Sequence, residues 1–329
     1  ADELRQHAYI IESPEDKSLA ELLVPILRRI LLELSRDKAA SHAVQRGLRI
    51  LVGFAKRLKV KYGDIEVGLD IEPEPGIGDS GDFEADLSDV LVAVAEAAKS
   101  RKTVVALLID ELQHVGENEL SALIMAVHRV SQEQLPLILI GAGLPQLVCT
   151  MRRSKSYAER LFDFPQVGSL SRQDAVSAIR EPIGNEGEKI AKAAIDRIVE
   201  ASKGYPYFLQ AWGYHSWNAA ARSPISARDV TSAETKVLEN LDSSFFRVRF
   251  DRLTPSEKRY LRAMAELGPG PHRSGRVSEE LGITVNSAAP TRGSLIKKGV
   301  IHNPSHGDTA FTVPLFDEFM KRQMPSFQA

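Results

Sequence analysis

Thr103-Val-Val-Ala-Leu-Leu-Ile-Asp-Glu111 is the stretch on which the reading of the whole chain turns. Uncharged, mostly apolar residues run from Thr103 to Ile109, and then two carboxylates arrive together. A run this short and this apolar is expected as a strand buried on both faces in the middle of a parallel sheet. Asp110 and Glu111 then fall at its carboxyl end, where open α/β sheets bind their ligands. Burying adjacent acids costs on the order of several kcal/mol unless a cation or a reaction uses them. The competing reading is a strand that runs into a solvated turn, with the acids capping the next helix.

Composition narrows the setting. The chain has 329 residues, is 43% hydrophobic and 26% charged, and carries a net charge of -2. That is enough polypeptide for two or three domains. The near-neutral balance gives no whole-chain argument for a nucleic-acid or membrane partner. The single cysteine, Cys149, excludes an internal disulfide and fits a reducing, cytoplasmic setting, with a small buried hydrophobe as its expected role. No apolar run reaches the ~18 residues a membrane span needs, and the first residues lack the pattern of a signal peptide.

Along the chain, residues 1–6 read as the tail of a helix and 7–12 as a strand. Ser18 and Glu21 make a capping box before a leucine-rich helix that contains Pro25. A second amphipathic helix covers about 44–58. Between 59 and 72 the period changes to alternation around Gly63-Asp64, which predicts an inserted hairpin. Residues 72–85 are expected as a mobile acidic loop, and Asp86 as the cap of a helix reaching about Lys99. A helix at 118–131, an apolar strand at 135–140 and a short strand at 164–167 continue the α/β alternation of a parallel sheet. From Ser171 the strand pattern stops, and four helices follow to about residue 241. Thr254-Pro-Ser-Glu257 then opens another helix with cap, proline and acid in their preferred places. Two further helices, at 276–281 and 284–298, lead into a hairpin at 300–313. Three helices and a hairpin within about 60 residues describe a winged helix-turn-helix.

This order of parts resembles the AAA+/STAND group of P-loop ATPases, in the branch that joins an ATPase core, a helical lid and a winged helix, and it is similar to the replication-initiator ATPases. The resemblance implies an α/β fold with a parallel-sheet core at 1–170, an all-helical lid and linker at 171–250, and a winged-helix domain at 251–329. It implies ATP or ADP with Mg²⁺ as cofactors and homo-oligomers as assemblies. Asp110-Glu111 match the Walker B element, with Asp110 on the metal and Glu111 catalytic. Gly141, Ala142 and Gly143 stand where a polar sensor normally touches the γ-phosphate, and Gln146 is the nearest polar candidate. Arg160 falls where the family carries its arginine finger, although a surface Arg–Glu pair accounts for it equally well. Gly204-Tyr-Pro206 looks like the GxP motif that contacts nucleotide in STAND lids, and a glycine C-cap followed by a proline explains the same residues without ligand.

One departure is large. No Gly-x-x-x-x-Gly-Lys-[Ser/Thr] occurs in the 329 residues, and Gly76-Ile-Gly-Asp-Ser-Gly81 has no lysine and follows no expected strand. The resemblance then implies that the phosphate-binding loop and the first strand are encoded upstream of Ala1.

From Thr254 onward ten Lys and Arg stand against seven Asp and Glu, a net of about +3. Arg292, Lys297 and Lys298 on or after the expected recognition helix, with His306 at the wing, suit phosphate contacts to double-stranded DNA. Winged helices also dock proteins, so a protein partner stays open. The leading expectation is a nucleotide-controlled switch with slow ATP hydrolysis. The alternative is a non-hydrolysing adaptor or DNA-binding regulator on the same scaffold.

Overall fold

The structure is a computed structural model that describes residues 6–14, 16–35, 42–58 and 72–326, apart from the side chains of Gln6, His7 and Cys149. The expected hairpin at 59–72, the expected helix at 1–6 and the packing of Cys149 therefore lie outside the described residues, save for positions 6 and 72. Contacts divide the chain into two units, residues 1–164 and 165–329.

The first unit is built on a three-stranded parallel sheet, β1 (Gln6–Glu12), β2 (Val104–Asp110) and β3 (Leu137–Gly141), in the order β1-β2-β3. The strand singled out by sequence is thus the central one. Side chains alternate across a strand, and here the two faces differ sharply. Tyr9, Ile11, Val105, Leu107, Ile109 and Leu137 are buried under α1 (Leu19–Ser35), α3 (Phe83–Ser100) and α4 (Glu117–Gln132). The other face carries the register rows Ala8–Ala106–Ile138 and Ile10–Leu108–Ile140. Ile10, Ile138 and Ile140 are 79%, 52% and 53% exposed. The strand expected to be buried on both faces is therefore buried on one, because no described residue covers the other.

Local chemistry accounts for most helix boundaries. Ser18 N–H and Oγ both donate to Glu21 Oε2 at 2.8 Å, closing the capping box at the start of α1. Glu119 of α4 accepts the N–H of Leu19 at 2.9 Å, satisfying another free donor of that helix end. α2 (His42–Arg57) turns its apolar side onto α1 and α3. The cap of α3 is Asp82 rather than Asp86: Asp82 accepts from Glu84 and Ala85. Asp86, buried in the first turn, instead accepts from Ser80 and from the N–H of Gly81, which fastens the preceding loop. After β3 come α5 (Gln146–Ser154) and α6 (Ala158–Leu161). Residues 164–167 form no strand, since they have no ladder partner among the described residues.

The second unit is helical up to residue 266. α7 (Arg172–Asn185), α8 (Lys192–Ser202), α9 (Pro206–Ala219) and α10 (Ala227–Asn240) are followed by a π-helical segment, Leu241–Phe246, and by α11 (Arg247–Asp251). Phe245 to Phe250 are thus helical, and Phe246 and Phe250 share one buried side. α12 (Pro255–Glu266) starts at the expected Thr254–Glu257 capping box. β4 (His272–Arg273), α13 (Ser274–Glu280), α14 (Val285–Lys297), β5 (Ile301–His302) and β6 (Asp308–Phe311) follow, and α15 (Phe316–Gln323) closes the unit. β6 pairs with both β4 and β5, giving a small antiparallel sheet. One apolar core runs through the unit from Ala175 to Met320, with Phe246 stacked on Phe319.

Candidate functional site

Glu12 and Asp110 are register partners at the carboxyl ends of β1 and β2, and both are exposed. Alternation puts them on the same face as Ile10 and Leu108, so both carboxylates crown the uncovered side of the sheet. Immediately after Asp110 the ladder stops. Glu111 has φ +56° and ψ +36°, the left-handed region, which costs a residue with a Cβ roughly 1–2 kcal/mol. The turn it makes sends the chain sideways into a single 3₁₀ turn, Leu112–His114. Strained backbone of this kind collects where a side chain must be aimed.

The two acids are held differently. Asp110 Oδ1 accepts the N–H of Glu111 at 2.8 Å, and its second oxygen has no hydrogen bond among the described residues. Glu111 Oε2 accepts a hydrogen bond from Gln113 Nε2 and lies 4.0 Å from His114 Nε2. Gln113 Oε1 in turn accepts the N–H of Leu144 at 3.0 Å. The loop after β3 is joined to the same turn by backbone as well. Ala142 N–H donates to Ile109 O at 2.8 Å, and Leu112 N–H donates to Ala142 O at 3.0 Å. Ser13, just past β1, donates its N–H to Asp110 O at 3.1 Å. Its hydroxyl is buried with no partner among the described residues.

A hard-oxygen donor at Asp110 with one oxygen free, and Glu12 beside it in register, suits Mg²⁺, which keeps most of its water and takes one or two protein carboxylates. Among the described residues no group of three or more His, Cys, Asp or Glu forms a metal cage. Sequence reasoning passed over Glu12 and Gln113. Glu12 carried a signal, an acid ending an apolar strand, whereas the role of Gln113 shows only in its hydrogen bonds.

The other residues singled out by sequence are distributed as follows. Gln146 is the first residue of α5, and its Oε1 is buried without a partner among the described residues. Arg160 on α6 is exposed and has no ion pair among the described residues. Its neighbour Glu159 is taken by Arg152 at 3.2 Å. Gly204 and Pro206 belong to the second unit. Gly204 has φ +68°, Gly204 O accepts the N–H of Leu170 at 2.9 Å, and Pro206 opens α9. In the carboxy-terminal part, Arg292 is committed to its own fold: it donates to Thr309 Oγ1, Asn303 Oδ1 and Asp308 O at 2.8, 2.6 and 3.1 Å. Lys298 donates to Glu257 and to Arg252 O. Lys297 and His306 are exposed.

The chain is similar to the Walker-type ATPase PABY2304 of Pyrococcus abyssi, at 14% identity over 96% of this chain and 84% of that one, with a TM-score of 0.55. The fold is AAA+ P-loop ATPase-like. Two other solved structures are also similar, with TM-scores below 0.5. One is the ORC2 protein of Aeropyrum pernix, at 14% identity over 98% of this chain and 89% of that one, TM-score 0.45. The other is the RuvB Holliday junction branch migration motor of Thermotoga maritima, at 15% identity over 78% of this chain and 85% of that one, TM-score 0.37. Residues 243–320 match a family model described as a domain of unknown function, DUF8462. No curated protein matches the chain in sequence. Within this AAA+-like fold, Asp110 and Glu111 end the middle strand of the described sheet, and no helix among the described residues is long and apolar enough to cross a membrane.

Proposed function

We propose that this protein is an ATP-binding, AAA+/STAND-like ATPase that acts as a nucleotide-controlled switch. The observation that carries the reading is the Asp110–Glu111 pair. It stands at the carboxyl end of the central parallel strand, with one Asp110 oxygen free and Glu111 turned by a left-handed backbone. Bound Mg²⁺ would neutralise charge on the β- and γ-phosphates. Asp110 would hold that ion through its water shell, and Glu111 would orient and polarise the attacking water. Gln146, whose buried carbonyl oxygen has no partner among the described residues, is the polar group offered beside the loop that follows β3. Arg160, exposed and unpaired among the described residues, is available to a neighbouring subunit's nucleotide in a homo-oligomer.

In this reading residues 171–250 are the lid and linker, and they carry the Gly204-Tyr-Pro206 motif. Residues 251–329 are a winged helix that engages double-stranded DNA or a protein partner. The engaged state of Arg292 and Lys298 favours Lys297 and His306 as the groups that meet such a partner.

The test is nucleotide binding by the full-length protein. Millimolar ATP with Mg²⁺ raises the midpoint of thermal unfolding, since a ligand that binds only the native state must stabilise it. Asp110→Asn loses the Mg²⁺-dependent part of that rise, and Glu111→Gln keeps binding while losing hydrolysis. A second reading, the non-hydrolysing adaptor, draws on the apolar end of β3, where Gly141, Ala142 and Gly143 provide no polar side chain of their own. Binding with no turnover, or an unmoved midpoint, in the unaltered protein would favour that reading over the switch.

A further inference from the structure

We propose that Gln113 is a positioning residue that couples the direction of the Glu111 carboxylate to the loop following β3. The inference rests on the ATPase reading of Asp110 and Glu111. A carboxamide has one donating end and one accepting end, and here each end meets the only kind of partner it can use. Nε2 donates to Glu111 Oε2, and Oε1 accepts the N–H of Leu144. Turning the amide over would set oxygen against carboxylate and NH₂ against N–H, so the orientation follows from its neighbours. Gln113 is therefore bonded at once to the acid that polarises water and to the backbone beyond β3.

The glycines at the end of β3 make this contact possible. A Cβ at position 141 would collide with the side chain of Leu112, and one at position 143 would lie 2.7 Å from Gln113 Oε1. The residues that deprive β3 of a polar side chain are thus the ones that admit Leu112 and Gln113 from the β2 side. The polar group at this place is supplied across the sheet instead of from the strand itself. Three links then bind loop and turn: Ala142 N–H to Ile109 O, Leu112 N–H to Ala142 O, and Leu144 N–H to Gln113. Only the last is made by a side chain, and it alone continues to the Glu111 carboxylate. A ligand phosphate that draws the Leu144 N–H away leaves Gln113 held only at its Nε2 end, by Glu111 and His114, and loosens the hold on the carboxylate.

The experiment is steady-state ATP hydrolysis by the full-length protein as wild type, Gln113→Ala, Gly143→Ala and the double variant. In Gln113→Ala, kcat falls about tenfold or more while KM for ATP stays within about twofold, because the amide touches Glu111 and not the nucleotide. Gly143→Ala lowers kcat alone to a similar extent by displacing the amide, and adds nothing in the Gln113→Ala background. Gln113→Glu keeps the size and the acceptor for Leu144 but sets a second carboxylate against Glu111. It lowers kcat as far, and it stands in if the alanine variant folds poorly. Amide exchange at Leu144 reads the link without turnover and is about tenfold faster in Gln113→Ala. Losses that multiply in the double variant, an unchanged kcat, or equal exchange rates overturn the coupling and leave the ATPase reading intact. Failure of the wild type itself to bind and hydrolyse ATP overturns that reading, and this inference with it.

Discussion

Lys298 Nζ lies 2.7 Å from Glu257 Oε2, so the end of α14 and the start of α12 share one buried carboxylate. Glu257 also accepts the N–H of Thr254 and the hydroxyl of Ser294, both at 2.7 Å. A residue read from sequence as the acid of a capping box is thus the point on which two helices and the turn before α12 converge. Burial by itself would raise the carboxyl's pKa. The hydrogen bonds from Lys298, Thr254 and Ser294 outweigh it and hold Glu257 at about 2, against an ordinary 4.5.

That depression sets an acid limit on the second unit. A carboxyl whose folded value is lowered contributes stability that is complete above its unfolded value. The contribution is lost as pH falls from about 4.5 toward 2, and it amounts to roughly 3 kcal/mol. Urea unfolding followed between pH 6 and pH 3 should show this loss. In Glu257→Gln the unfolding free energy at pH 6 is lower and its decline over the same window is shallower. Equal slopes for the two proteins would remove Glu257 from the account.

Arg292 and Lys297 lie within two turns of α14 yet should respond oppositely to replacement. Arg292 makes three hydrogen bonds to the β5–β6 hairpin and its turn, so Arg292→Ala lowers stability by about 1–3 kcal/mol. Lys297 is exposed, and Lys297→Ala leaves thermal unfolding within about 0.5 kcal/mol of the parent. If the proposed DNA contact is real, Lys297→Ala weakens binding to a random duplex and reduces its salt dependence. Thermal melts paired with a salt titration of duplex binding separate the two roles.

Gly204 is required whatever the fate of the nucleotide reading. Its φ of +68° disfavours any residue with a Cβ, and a Cβ there would sit 2.9 Å from Leu170 O. Gly204→Ala should destabilise the second unit by about 2 kcal/mol or more, seen as a lower midpoint in chemical unfolding without added ligand. A neutral substitution would mean that the bond from Leu170 N–H to Gly204 O does not hold the segment in place.

Sequence reading reached the features written in local chemistry. The apolar run before Asp110 gave the central strand, and the Ser18–Glu21 and Thr254–Glu257 pairs close on the boxes that their three-residue spacing announces. Features set by long-range partners were not legible. Asp86 looked like a helix cap, but Asp82 lies four residues earlier and takes the free N–H groups first. β4 has only two residues and exists because β6 pairs with it, and α15, which starts two residues after Pro314, opens at a left-handed Leu315 instead of a polar cap. Residues 164–167 have the composition of a strand, yet a strand is a property of a pair. At the candidate site, the place of Asp110 and Glu111 at a strand end follows from the apolar run before them, whereas the place of Gln113 depends on where two backbone glycines let it go.

The open face of the sheet gives a last prediction. Ile10, Leu108 and Ile140 form one cross-strand row, and Ala8, Ala106 and Ile138 the next, so an apolar patch continues from strand to strand beneath Asp110. Parallel sheets are ordinarily covered on both faces, and exposed β-branched rows are sites of association. Replacing Ile10, Ile138 and Ile140 together with threonine keeps the branched shape that suits a strand while removing apolar surface. Because these side chains give up little burial, the triple variant should unfold within about 1 kcal/mol of the parent. It should also bind less of an apolar dye and self-associate less in sedimentation. Ile109→Thr on the opposite face is the control: Ile109 is fully covered, so a hydroxyl there costs about 2 kcal/mol or more. A triple variant as damaging as Ile109→Thr would mean that this face is packed in solution, and that Asp110 is reached from the carboxyl end of the sheet alone.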